Sequence, residues 1–259
     1  MKTLAVIPAR MGSSRFPGKP LARLAGKPLL AHVWDAVGRA EGVSRVVIAT
    51  DSAEIADAAR GFGAEVIATR AEHPTGSDRV AEAATLAGGA YDVVVNVQGD
   101  QPLLDPASLT EALRALALDA GAKVSTLAAY DGDRAAYESP HVVKVVCDLE
   151  GRALYFSRAP VGGAPDAEGR FRFLHHVGLY AFRADVLRSF AAWPPSPLER
   201  AERLEQLRLL EHGLKIRVAL TARAIRGVDV PQDLAALERE WPALAPASGT
   251  TRASHEASS

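Results

Sequence analysis

Between residues 10 and 27 the chain places five cations, Arg10, Arg15, Lys19, Arg23 and Lys27, in a segment that also holds Gly12, Ser13 and Ser14 and begins where the strand-like run TLAVI ends. Small residues let backbone N–H groups approach an oxyanion closely, and guanidinium and ammonium groups add charge-assisted hydrogen bonds, so Arg10, Arg15 and Lys19 suit a polyphosphate. A run of surface cations is often only a solvated face. Here its position favours anion binding, because ligands of open parallel sheets sit outside the carboxyl ends of the strands. The loop matches neither common phosphate loop: G-x-G-x-x-G is absent, and five residues rather than four separate Gly12 from Gly18, with Pro20 where Ser or Thr is needed. A second strand exit, after VVVNV, reads Gln98-Gly99-Asp100. Gly-Asp is common in turns, but an acid at this place faces the same crevice as the first loop. Mg²⁺ binds through one or two carboxylates, with substrate oxygens completing its shell. Asp229, in GVDVPQ, is a second candidate ligand, although an acid there also suits a helix start. The histidines lack H-x-x-x-H spacing and Cys147 is the only cysteine, which argues against a zinc centre and excludes an internal disulfide.

Those residues need a frame. The β-branched runs TLAVI, RVVIAT, AEVIAT and YDVVVNV alternate with segments of helical apolar spacing, which predicts βαβ units and a largely parallel sheet. Leu29, Leu30, Val33, Trp34 and Val37 share one helical face, Asp51 and Glu54 make a capping-box-like start, a third helix begins near Thr75 to Asp78, and a fourth begins at Asp105-Pro106 with Leu109, Leu113 and Leu116 inward. After about residue 122, KVSTLAAY, HVVKVVCD, RALYFSRA and HHVGLYAFR follow one another as strands with little helix between, an antiparallel or mixed insertion beside the main sheet. Cys147 falls in one of them and is expected to be buried. APVGGAPDAEGRFRF is expected to be a mobile loop and a lid. PSPLERAERLEQLRLLEHG is expected to form one helix, with Ser196 as cap, Glu199 completing a capping box and Gly213 as stop; KIRVAL then returns as a strand, and a short helix after Asp229 ends near Trp241.

The bulk properties narrow the class. A chain of 259 residues that is 48% hydrophobic can bury a sizeable core, and a formal charge of −1 excludes a global basic footprint, so a nucleic-acid partner is not expected. No apolar stretch approaches the roughly 18 residues of a membrane span, so no membrane partner is expected either. One cysteine fits a reducing compartment, and the protein is expected in the cytoplasm.

The motifs IPARMGSSRFPGKPL, VQGDQP, LYFSRAP, HHVGLYAFR, PSPLERAERLEQLR and GVDVPQDL, in this order and spacing, closely resemble the 3-deoxy-manno-octulosonate (KDO) cytidylyltransferases over about residues 3 to 240. The resemblance implies an α/β, Rossmann-like nucleotide-binding three-layer fold with a mostly parallel mixed sheet and a smaller β-rich insertion. It divides the chain into a core, 1–122 with 184–243, an insertion for sugar binding and dimer contact, 123–183, and a disordered tail, 244–259. It implies a homodimer, Mg²⁺ as cofactor, and CTP and KDO as substrates, with CMP transferred to the anomeric 2-hydroxyl for lipopolysaccharide synthesis. Carried over by position, Arg10, Ser13, Arg15 and Lys19 hold the triphosphate and Asp100 with Asp229 holds the metal; Lys19, Arg10 and Asp100 are the catalytic set. Arg70, Thr75, Ser77 and Arg79 would lie near cytosine and ribose, and Gln98, Arg158, His176, Tyr180, Glu205 and Gln206 would line the sugar pocket. That set suits KDO, an anionic polyol, which needs one guanidinium for its carboxylate and uncharged hydrogen-bonding groups for its hydroxyls.

Plainer readings stand beside these roles. Arg158 could simply pair with a carboxylate at a strand end. Alternation along a strand would let only one of His175 and His176 face a pocket. Glu205 and Gln206 are adjacent on an expected helix, so they should point apart. Two departures from the family pattern stand out: Gln101 occupies a position where an acid is common, removing a charge beside the metal, and the loop after Arg158 lacks the usual aromatic, basic stretch. Two alternatives follow, activation of another 3-deoxy-2-ulosonic acid (amino-KDO or a nonulosonic acid) and a non-catalytic nucleotide-binding regulator. A metal-dependent glycosyltransferase is disfavoured because Gly99-Asp100-Gln101 is no D-x-D pair.

Overall fold

The computed structural model describes residues 1–12, 15–222 and 225–244. In chain order the strands are β1 (Thr3–Pro8), β2 (Arg23–Leu24), β3 (Lys27–Pro28), β4 (Arg45–Thr50), β5 (Glu65–Ala68), β6 (Val93–Asn96), β7 (Val124–Asp131), β8 (Lys144–Cys147), β9 (Ala153–Ser157), β10 (Ala164–Pro165), β11 (Phe171–Arg183) and β12 (Ile216–Leu220). The helices are α1 (Leu29–Gly38), α2 (Ala53–Gly61), α3 (Gly76–Leu86), α4 (Pro106–Leu118), α5 (Arg134–Glu138), α6 (Ala184–Ala192), α7 (Pro197–Glu202), α8 (Gln206–Glu211) and α9 (Pro231–Leu244). Among the described residues, the main sheet runs β12-β7-β11-β6-β1-β4-β5, with β8, β9 and β10 attached through β11. Every pairing along that path is parallel except those of β11, which runs against both β6 and β7.

Alternation in β1 shows the three layers directly. Ala5 and Ile7 pack with Leu30, Val33, Ile55 and Leu109 on one side, and Leu4 and Val6 pack with Val80, Phe182 and Phe190 on the other. Helices cover both faces, which is why the central strands read as continuous apolar runs. From β1 the chain moves outward to β4 and β5, then returns to lay β6 on the opposite side of β1. The crevice at such a reversal of strand order is where open α/β sheets bind ligands. The loops leaving β1 and β6 carry Arg10 and Asp100.

Most local starts follow the residues. Thr75 and Asp78 form the capping box of α3, and Asp105 caps α4 with Pro106 at its first position. For α2 the cap is Ser52, whose side chain accepts from the Ile55 N–H; Asp51, expected to start this helix, instead pairs with Arg79 at 3.0 Å. The expected single helix from Pro197 to Gly213 is two. α7 ends at Arg203, which takes φ +56°, and α8 begins at Gln206. The break has a tertiary cause: the Glu202 carboxylate accepts from Ser157 Oγ at 2.7 Å and from the Arg158 N–H at 2.9 Å, and its carbonyl accepts from Arg158 Nε at 3.0 Å.

The 123–183 segment is continuous with the core through β7 and β11, which are strands of the main sheet; β8, β9 and β10 and the unforeseen α5 are what stand off it. The 159–170 stretch pairs β10 with β11, and Asp166 is held by Arg170 and Arg172 at 3.0 and 2.8 Å. Cys147 is on β8 as expected but only half-buried, and partial burial pushes its thiol up to about 11. The expectations for Ser13 and for the tail from 245 onward fall outside the described residues.

Candidate active site

At the β1/β6 crevice a cavity of about 320 Å³ is walled by Arg10, Arg15, Lys19, Thr75, Arg79, Gln98, Asp100 and Asp229, among others. Lys19 sits in a short 3-10 turn, Lys19–Leu21, launched by Gly18 at φ +72°, a conformation that glycine adopts without steric cost. Its ammonium donates to Asp100 Oδ2 at 2.6 Å and lies 3.6 Å from Asp229 Oδ1, which also accepts from Arg15 at 3.1 Å. The two carboxylates come from distant parts of the sequence. They meet because the Val228 N–H bonds to the Asp100 carbonyl at 2.9 Å, while Asp233 accepts from the Asp229 and Val230 N–H groups at 2.8 and 3.0 Å and steadies the start of α9. Among the described residues no cluster of three or more His, Cys, Asp or Glu side chains gathers to hold a metal. Two carboxylates facing one cation are nonetheless a donor set that Mg²⁺ accepts when phosphate oxygens supply the rest of its shell.

Gln98 lines this cavity and also a second one, of about 510 Å³. The second wall includes Gln101, His141, His175, His176, Tyr180, Arg203, Glu205, Gln206 and Arg226. Burial shifts three of its polar groups towards their neutral forms. Desolvation lowers His176 to about 3, and Thr126 Oγ1 lies 3.0 Å from its Nε2. Burial, helped by Glu205, pushes the Tyr180 hydroxyl well above its usual range. Burial also raises Glu205, against the pull of hydrogen bonds from Ser77, at 2.6 Å, and Thr75. Uncharged donors and acceptors in quantity suit a polyhydroxylated ligand, and Arg203 and Arg226 at the wall offer a carboxylate partner. The two cavities thus differ in chemistry, one lined by cations and carboxylates and the other by buried hydrogen-bonding groups, with Gln98 on both walls.

The chain matches the Cytidylyltransferase family model over residues 4–216. It is 49% identical to the 3-deoxy-manno-octulosonate cytidylyltransferase of Geobacter sulfurreducens over 244 residues, covering 90% of this chain and 97% of that one. The same-named protein of Chromohalobacter salexigens is 50% identical over 245 residues, covering 91% and 95%. The chain belongs to the 3-deoxy-manno-octulosonate cytidylyltransferase family. The solved structure of CMP:2-keto-3-deoxy-manno-octonic acid synthetase complexed with CTP superposes on it with a TM-score of 0.86 at 39% identity, covering 94% of this chain and 99% of that one.

Within this cytidylyltransferase, several expected site residues lie away from the two cavities. Arg70 turns outward and pairs with Glu82 at 3.0 Å. Ser77 is fully buried; it donates to Glu205 and accepts from Asn96 Nδ2 at 3.0 Å, so it braces the second cavity instead of lining the first. Arg158 is spent on the carbonyls of Glu202 and Pro140, each at 3.0 Å, and does not reach the cavity wall. Lys144 holds the same rim: its buried ammonium donates to the carbonyls of Ser139, Val142 and Arg158 at 2.7 to 2.9 Å, and desolvation lowers its pKa. His175 and His176 both contribute to the wall, against simple strand alternation, in a strand whose register shifts between Val177 and Tyr180. Glu205 and Gln206 both line the cavity too, because the break at Arg203 re-aims the chain.

Gln101 lines the second cavity and not the crevice with the carboxylates, so its departure from the acidic family pattern bears on that cavity. Sequence reasoning missed His73 in the crevice and His141, Arg203 and Arg226 in the second cavity. Arg226, three residues before Asp229, was within reach of the GVDVPQ motif. Arg203 carried no local signal, since only the tertiary break brings it to the wall.

Proposed function

We propose that this protein transfers CMP from CTP to the anomeric 2-hydroxyl of 3-deoxy-D-manno-octulosonate, releasing diphosphate and making CMP-KDO for lipopolysaccharide synthesis. The observation that carries the reading is the pair of adjoining cavities sharing Gln98: a cation-lined crevice suited to a triphosphate beside a wall of hydrogen-bonding groups and two arginines suited to a polyol acid. In this reading Arg10, Arg15 and Lys19 hold the triphosphate, while Thr75 and Arg79 bound its nucleoside side. Tyr180, His176, Glu205 and Gln206 orient the acceptor, so catalysis is chiefly positioning and charge neutralisation. Asp100 and Asp229 would hold Mg²⁺, which when bound supplies further positive charge to the phosphates.

A homodimer is part of the proposal. Leu118, Tyr130, Leu149 and Leu220 are exposed around one groove, more apolar surface than a lone chain gains by leaving in water. CTP as donor and a single cysteine agree with a cytoplasmic setting; among the described residues no helix is long and apolar enough to cross a membrane.

The test is diphosphate release from CTP and Mg²⁺, with KDO, with a nonulosonic acid and with neither, alongside the solution mass by light scattering. Release that depends on KDO is the expected result. Release only with the other acid would move the protein to a different acceptor, and CTP binding without release for any acid would favour a regulator. A monomeric mass would remove the dimer.

A further inference from the structure

Beside the crevice, one carboxylate gathers the hydrogen bonds of the stretch that follows β5. Glu82 Oε2 accepts from the Arg70 N–H at 2.9 Å and from His73 Nε2, and its Oε1 accepts from Arg70 Nε at 3.0 Å. Burial works to raise this carboxyl, yet the bonds from His73 and Arg70 outweigh it and hold Glu82 below the ordinary carboxylate range. Glu82 is therefore the acceptor throughout, and His73 donates its Nε2 hydrogen.

Glu82 lies on α3, and Arg79, three residues before it on the same helix face, reaches the same stretch of chain. Arg79 is 3% exposed; it donates to Thr69 Oγ1, lies 3.5 Å from the Ala71 carbonyl and pairs with Asp51 at 3.0 Å. Thr69 and Ala71 are thus fastened by Arg79, and Arg70 and His73 by Glu82. Among the described residues, the only other bond printed on the 70–73 backbone is its own turn, the His73 N–H to the Ala71 carbonyl at 3.0 Å. His73 lines the crevice together with Thr75 and Arg79, whereas Glu82 does not.

The two partners of Glu82 differ in what they gain. The Arg70 side chain is 74% exposed, and a pair so open to water adds little to the stability of the fold. The His73 side chain is only 5% exposed, so it has no water to take in place of the carboxylate. The arrangement therefore contributes chiefly by deciding where His73 and its stretch of chain stand beside the crevice.

We propose that Glu82 is a positioning residue for the nucleotide: through His73 and the Arg70 N–H it fixes the 70–73 stretch against α3, and so sets the nucleoside side of the crevice without touching the ligand. This deepens the nucleotide assignment above and rests on it. The phosphate side, where Arg10, Arg15 and Lys19 come from the loop after β1, is left unchanged by the loss of Glu82.

The experiment uses the full chain with Mg²⁺ in excess and two variants. Glu82→Ala removes both acceptor oxygens; Glu82→Gln keeps one, enough for the Arg70 N–H and the His73 Nε2 that share Oε2. For Ala the expected result is a CTP KM raised about tenfold, the worth of about one hydrogen bond, with the KDO KM within about twofold. Inhibition by inorganic tripolyphosphate should stay as in the unsubstituted protein, because that probe has no nucleoside. Gln should bring the CTP KM most of the way back. An unchanged CTP KM in Ala overturns the proposal. So does a lowered denaturation midpoint with both KM values and tripolyphosphate inhibition all weakened, which would mark Glu82 as a brace of the whole fold, or a Gln variant as poor as Ala. If the unsubstituted protein binds no CTP in calorimetry, the crevice assignment fails first and the proposal with it; if it binds CTP and Ala binds it equally well, the proposal alone fails.

Discussion

The two cavities meet at Gln98 and handle polarity in opposite ways. In the crevice, charges are plentiful, partly open to water and already paired with one another: Lys19 with Asp100 and Asp229, and Arg15 with Asp229. In the second cavity exposed Arg203 and Arg226 stand at the wall, while the deeper His176 and Tyr180 are buried and shifted by desolvation towards their neutral forms. The contrast teaches how each site meets the cost of its ligand. Partly open ion pairs are worth little, so under the proposed function phosphate and metal would displace them at small expense. Buried neutral groups cannot exchange partners with water and must be held in place by a rigid surround.

If the second wall depends on a buried frame, damage to that frame should be the most costly change. Arg208 sits behind Gln206, bidentate to Glu199 at 2.6 and 2.7 Å, and also donates to the carbonyls of Phe190 and Trp193, both at 3.1 Å. Arg208→Leu strands the buried Glu199 carboxylate and should cost about 3–5 kcal/mol in urea denaturation, with much of the loss recovered in the double variant Arg208→Leu/Glu199→Leu. A loss below about 1 kcal/mol would mean that the wall does not lean on this pair.

The crevice should behave the other way, losing rate and not stability. Asp100→Asn is expected to lower Mg²⁺-dependent turnover by about 10²–10³-fold. Its denaturation midpoint should stay close to that of the unsubstituted chain, because Lys19 keeps Asp229 as a partner and a partly exposed pair contributes at most about 1 kcal/mol. A fully active variant would take Asp100 out of the metal site.

The smallest expected effect is a pH dependence confined to the second cavity. His176 titrates near 3 in the folded protein and near 6.5 when unfolded. Between those values the unfolded chain binds the extra proton, so stability falls as pH falls. Going from pH 7.5 to 5.5 should remove about 1.4 kcal/mol through His176, and the fall should be smaller by that amount in His176→Gln. Equal falls in both chains would place the acid sensitivity elsewhere.

Much of this was legible in advance where the rules are local. The β-branched runs became the parallel strands, Thr75 with Asp78 and Asp105 with Pro106 capped the helices they were expected to cap, and Arg10, Lys19 and Asp100 came out at strand exits lining one crevice. Misreadings arose where distant segments intervene. Ser52 displaced Asp51 as a cap because Arg79 claimed the aspartate, and a helix expected to run unbroken stops at Arg203 because β9 and Arg158 claimed Glu202.

By itself the sequence determined the layered α/β architecture, the cationic make-up of the first loop and the family to which the chain belongs, because periodicity, capping and motif spacing act over a few residues and survive in one dimension. Only the tertiary structure decided that Asp100 and Asp229 share one lysine, that Ser77 and Arg158 brace the two cavities without lining them, and that Gln101 belongs to the second cavity and not the crevice. Those outcomes depend on which carbonyl, carboxylate or amide finds a partner once segments distant in sequence are packed together, and each buried polar group takes the partner that the fold brings within reach.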